Sequence, residues 1–225
     1  MFAHEGRTGT FGSFLTTLEL IFHNTVRGIR AGHRNALMAI LANMLQMVVM
    51  LVVFYAMFSL IGLRSSMIRG DFVLFLMSGI FLFMLHVKTV SGVAGAEGPS
   101  SAMMKHLPMN TSISLAATAL SALYNQILSM AIILGVYHLI AGPIEIYEPI
   151  GAIGMVLLSW LTGVALGVFL LAIKPWSPTV VSIFKTVYQR VSMIASGKMF
   201  LANTLPSKLL ALFSWHPLFH TCLLY

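Results

Sequence analysis

The sequence predicts an all-α integral membrane protein, with an amphipathic N-terminal helix in the membrane interface, five transmembrane helices and a re-entrant helical hairpin at the C-terminus. Three observations predict it. Hydrophobic residues make up 58% of the 225 positions and Asp, Glu, Lys and Arg only 8%, against about 25% charged residues in a soluble domain. Stretches free of all four charged types run from Arg34 to Arg64, from Lys105 to Glu145 and from Glu148 to Lys174. Each exceeds the roughly 20 apolar residues that cross about 30 Å of hydrocarbon.

Residues 1–35 read as a cytoplasmic N-terminus containing the interface helix. Phe14, Leu15, Leu18, Ile21, Phe22, Val26 and Ile29 fall on one helical arc, with Thr17, Glu19, His23, Asn24, Arg27 and Arg30 opposite. That division suits a helix lying in the headgroup region, its arginines at the polar edge. A packed helix of a small cytosolic cap is the alternative.

Residues 36–225 read as one transmembrane domain. Its spans are predicted at about 36–60, 72–93, 113–140, 150–173 and 179–201, with Lys88 placed near one end of the second. Gly142-Pro143 ends the third span, and Lys174-Pro175-Trp176-Ser177-Pro178 makes a turn with an interfacial Trp. Residues 205–225 are apolar but broken by Pro206 and Pro217. Each proline removes a helix hydrogen bond, so a hairpin of two short helices suits this stretch better than a straight span.

The formal charge of +7 is spread around the ends of the apolar segments. This distribution fits lipid headgroups and topology signals and excludes nucleic acid as the expected partner. Arg7, Arg27, Arg30 and Arg34, with Lys88, Lys105 and Lys174 in loops on the same side, put the N-terminus and the 96–112 loop in the cytoplasm. No signal-peptide core with a cleavage site occurs in the first 35 residues.

Catalytic patterns are scarce. The chain contains no phosphate loop and no nucleophile elbow. The six acidic residues form no pair for acid–base work. His216 and His220 have metal-binding spacing, but Pro217 lies between them, and an interfacial turn is the plainer reading. His86, His106 and His138 are read as membrane-boundary residues. Cys222 is the single cysteine and is read as apolar filler. The chain is therefore expected to be neither an enzyme nor a metalloprotein.

The informative polar groups lie inside spans. Ser182, Lys185, Gln189, Ser192 and Ser196 share one face of the fifth, with Thr186 at its edge. Lipid offers no hydrogen-bond partner to such a face, so a water-accessible pathway is expected beside it. Asn43 with Gln46 on the first span, and Asn125 with Gln126 on the third, read either as pathway residues or as groups that join helices. Ser159, Gly163 and Gly167 give the fourth span a small-residue face for close helix packing.

Three patches carry a resemblance to a known family. Gly70-Asp71-Phe72-Val73-Leu74-Phe75-Leu76-Met77-Ser78-Gly79, Ser100-Ser101-Ala102-Met103-Met104-Lys105-His106-Leu107-Pro108 and Trp215-His216-Pro217-Leu218-Phe219-His220 resemble segments of permease subunits of type-2 ABC exporters. The similarity is to the branch exporting capsular polysaccharide, O-antigen and polyol-phosphate polymers. His216 stands where that family usually has Asn, and the family's sixth span would be missing after Tyr225, as in a truncated chain. The resemblance implies a homodimer in the bacterial inner membrane that moves a lipid-linked glycan, with possible periplasmic export proteins as further partners. It also implies a separate ATPase, which would hold the ATP and Mg; this chain would hold no cofactor. The ATPase would couple through Pro99, Ser100, Ser101, Met104, Lys105, His106 and Pro108. The translocation path would be lined by Asn43, Gln46, Ser182, Lys185, Gln189, Ser192 and Ser196. Phe14, Leu18, Phe22, Arg27 and Arg30 would anchor the interface helix. Competing expectations are a permease for a small drug or lipid, and a membrane enzyme acting on lipid-linked sugars.

Overall fold

A computed structural model describes residues 10–31, 36–61, 72–96, 111–142 and 149–195. The described residues form six α-helices and no strand: α1 (Thr10–Ala31), α2 (Ala36–Ile61), α3 (Phe72–Gly95), α4 (Thr111–Ala141), α5 (Pro149–Ile173) and α6 (Pro178–Ala195). Among them α2, α3, α4 and α5 are long and apolar enough to cross a membrane. The shortest, α3, has 24 residues and at 1.5 Å per residue extends about 36 Å. The described part of α6 is not in that group, because Lys185, Gln189, Arg190 and several hydroxyls lower its hydropathy. The expected hairpin over 205–225 lies outside the described residues.

α3 is the centre of the bundle. Leu76, Ile80, Leu85, Val90 and Val93 are buried on it, and so are the polar His86 and Thr89. The other spans each keep an apolar outer face, with Val49, Val52 and Val53 exposed on α2, Ile127 and Val136 on α4, and Leu157, Leu161 and Val168 on α5. Such ridges suit hydrocarbon rather than water.

The tightest helix pair is α3 with α5. Ser159, Gly163 and Gly167 are buried along it, so the predicted small-residue face is the packing face. A Cβ at position 167 would stand 2.7 Å from Val93 Cβ, and one at position 163 would stand 3.0 Å from the His86 carbonyl oxygen. Only glycine allows this approach. α4 ends where expected. Gly142 has φ +108°, its N–H closes the last turn on the His138 carbonyl at 3.2 Å, and Pro143 follows. Trp176 is exposed in the α5–α6 turn.

α1 packs along the first half of α4. Thr25 Oγ1 lies 3.5 Å from the Ala117 carbonyl, and Gly28 faces Ser121. Leu18 and Phe22 point outward, and Glu19, His23 and Arg27 are exposed too. One part of the expected division is corrected. Thr17 and Asn24 are half-buried rather than on a solvated face, because the small and polar side of α1 is the one that fits closely on α4. The side chains of Phe14 and Arg30 lie outside what is described.

Candidate functional site: polar clusters on both sides of α3

Two polar clusters meet α3 from opposite sides. The first joins α2, α3 and α4. Asn43 is buried, and its amide donates to Ser129 Oγ at 2.7 Å and to Gln126 Oε1 at 3.1 Å. Its Oδ1 accepts from Lys88 Nζ. Gln126 Nε2 continues to the Phe81 carbonyl on α3 at 3.4 Å, and Ser129 Oγ donates to the Asn125 carbonyl at 2.7 Å. Each group uses the role that its chemistry permits.

Lys88 is neither a loop residue nor a residue at the end of its span, as the sequence reading had it. It lies two turns inside α3, about 10 Å along the axis from Gly95 at 1.5 Å per residue. Lys88 is tolerated there because the side chain is only half-buried and its head meets the oxygen of an amide whose nitrogen is held by α4.

The second cluster joins α3, α5 and α6. His86 is fully buried, which corrects its assignment to a membrane boundary. Its Nδ1 lies 3.1 Å from the Ser159 carbonyl and its Nε2 2.8 Å from the Tyr188 hydroxyl. A carbonyl only accepts, so Nδ1 carries the proton and Nε2 accepts from Tyr188. Thr162 Oγ1 approaches Nδ1 at 3.2 Å. Ser159 Oγ donates to the Leu82 carbonyl at 2.8 Å. Tyr188 is also hydrogen-bonded to the Ser192 side chain, and one turn along α3 Gln189 Nε2 donates to Ser91 Oγ at 2.6 Å.

The expected pathway residues divide. On α2, Asn43 turns inward while Gln46 is exposed, so the two do not act as a pair; the partner of Asn43 is Gln126 on α4. On α6, Ser192 is buried, Lys185 and Gln189 are half-buried and Ser182 is exposed. Ser196, and the coupling residues Pro99, Ser100, Ser101, Met104, Lys105, His106 and Pro108, lie outside the described residues.

α6 has three sectors. Val181, Tyr188 and Ser192 face the bundle; Ile183, Val187 and Val191 form an exposed apolar sector; Ser182, Thr186 and Arg190 form an exposed polar one. Lys185 and Gln189 lie where the polar sector meets the bundle. Ser91 and Tyr188 were not singled out from the sequence, and His86 was noted only as a boundary residue. The available signal was the spacing of Lys185, Tyr188 and Ser192 at i, i+3, i+7, which places a hydroxyl on the inner face of α6. Among the described residues no group of three or more His, Cys, Asp or Glu side chains is arranged to hold a metal.

Comparison with known protein families finds no matching family model, and none of the curated proteins matches the chain.

Proposed function

We propose that the chain is the membrane-spanning permease subunit of an ATP-driven exporter that moves a lipid-linked polysaccharide across the bacterial inner membrane. It works as a homodimer with its N-terminus in the cytoplasm, and a separate ATPase docks on the segment from Pro99 to Pro108. The observation that carries this reading is the exposed polar sector of α6. A helix edge bearing Ser182, Thr186 and Arg190 beside Lys185 is poorly matched to hydrocarbon. It is well matched to a wet path shared with a second copy. The position of α1 supports the reading as well. It packs on the half of α4 that directly follows the proposed docking segment, so movement of that segment would reach α1 and α4 first.

The test is export in cells that carry the whole system. Lys185→Ala lowers surface polysaccharide while membrane insertion stays normal, Lys185→Arg retains most of it, and Val187→Ala on the apolar sector has no effect. Normal surface polysaccharide with Lys185→Ala removes α6 from the path.

A further inference from the structure

Among the described helices, α6 is the most sparsely packed against the bundle. Its main apolar anchor is at its first turn, where Val181 packs with Val90, Ala94 and Leu170, and Met193 touches the main core near the other end. Between them Tyr188 lays its ring against the same apolar cluster and meets His86 through its hydroxyl, and Gln189 meets Ser91. This matters in a bilayer. Lipid tails are as apolar as leucine, so an apolar helix face exchanges protein neighbours for lipid at little cost, whereas a hydrogen bond lost to lipid is not replaced. The two polar links therefore discriminate docked from undocked α6 more sharply than the apolar contacts do. The connection to α5 is a short turn through Lys174, Pro175, Trp176 and Ser177, a pivot next to the Val181 anchor.

We propose that His86–Tyr188 and Ser91–Gln189 form a latch that holds α6 against α3, and that α6 swings on the α5–α6 turn when the latch opens. His86 is the positioning residue. Its Nδ1 is fixed by the Ser159 carbonyl, so the ring presents Nε2 to Tyr188 in one orientation. The link to transport rests on the permease reading given above; the latch itself does not.

The first experiment measures the latch without transport. Ser192 is buried at the end of α6 far from the pivot, so a Ser192→Cys, Cys222→Ser chain in native membranes reports α6 opening by its labelling rate with N-ethylmaleimide. An average intramembrane hydrogen bond corresponds to about a threefold change in an opening equilibrium, so Tyr188→Phe with Gln189→Leu raises labelling about eightfold. His86→Gln, whose amide reaches the Nε2 position, leaves the rate within about twofold, because the Tyr188 link persists. His86→Asn reaches only the Nδ1 position, keeps Ser159, loses Tyr188 and raises the rate about threefold. Equal rates for His86→Gln and His86→Asn, or no change in the Tyr188→Phe, Gln189→Leu chain, overturn the latch.

The second experiment asks whether opening belongs to the working cycle. Ser91→Cys with Gln189→Cys in the Cys222→Ser background is oxidised to cross-link α3 and α6. The export that remains in the reduced chain, compared with that of Gln189→Cys alone, stops on oxidation and returns when the disulfide is reduced. Cross-linked protein that still exports shows that release is not required. If the Cys222→Ser chain itself, with Ser91 and Gln189 in place, does not export while the labelling results hold, the permease reading fails and the latch stands.

Discussion

Asn43 on α2 and Gln126 on α4 are joined by a 3.1 Å hydrogen bond inside an apolar bundle, and the same Asn43 amide is the acceptor for Lys88 on α3. One side chain thus ties three helices together. Intramembrane hydrogen bonds contribute about 0.6 kcal/mol on average and about 1.7 kcal/mol at most. A double-mutant cycle with Asn43→Leu and Gln126→Leu is expected to give a coupling in that range, measured by unfolding in mixed micelles. Asn43→Leu alone is the more damaging single change, because it removes at once the donor to Gln126 Oε1 and Ser129 Oγ and the acceptor for Lys88 Nζ. A coupling of zero would mean that the bond does not hold α2 to α4.

Lys88 should respond differently from Asn43. Replacing a partly buried charge with an apolar side chain of similar length is often neutral or stabilising. Lys88→Met is therefore expected to unfold within about 1 kcal/mol of the native chain, and Lys88→Glu to lose far more, since the amide oxygen of Asn43 would then face a carboxylate. Mixed-micelle unfolding of both variants checks this. Equal losses would mean that volume, not charge, governs the position.

The α3–α5 contact gives a sharper steric test. Gly167→Ala puts a methyl group 2.7 Å from Val93 Cβ, and overpacking of this kind costs about 1–3 kcal/mol. Gly135 and Gly154 have nothing near a Cβ, so alanine at either should be neutral or stabilising by up to about 1 kcal/mol. Val93→Ala does not rescue Gly167→Ala, because the clashing Cβ remains. Comparable stability of all three Gly→Ala chains would contradict the packing.

These contacts show what the sequence discloses and what it withholds. Four of the five predicted spans were legible because hydrocarbon thickness imposes a length and a composition that leave few alternatives; the described part of α6, with its polar side chains, does not meet that standard. The Ser159, Gly163 and Gly167 face was legible because small residues at i, i+4, i+8 have one common use in a membrane. The partners were not. Asn43 and Gln46 are near each other in sequence and look like a pair, yet their Cβ directions diverge by about 60° on a 3.6-residue helix; that angle sends Asn43 to Gln126 and Gln46 outward. His86 and Lys88 stand in the last third of an apolar run, which reads as a boundary, but α3 is surrounded by the other helices and both side chains find partners on them. The α6 stripe was read as one face, and the helix divides it between α3 and the outside.

α1 provides the last prediction. Its Leu18 and Phe22 are exposed while Glu19 and His23 stand on an adjacent, more polar edge with Nε2 and Oε1 3.7 Å apart. If α1 lies in the interface, the apolar positions are in the acyl boundary, roughly 5–10 Å below the headgroups. A single cysteine at position 22, in the Cys222→Ser background and labelled with an environment-sensitive fluorophore, is expected to show blue-shifted emission that lipid-borne quenchers reduce. The same label at position 19 should emit nearer to the value in water. Phe22→Asp should loosen α1 from the membrane while its Thr25 contact with α4 persists, which slows helix release in proteolysis relative to a Phe22→Asp, Gly28→Leu chain that also disrupts packing at Ser121. Identical emission at positions 19 and 22 would show that α1 is a water-exposed cap instead, held to the bundle chiefly through α4.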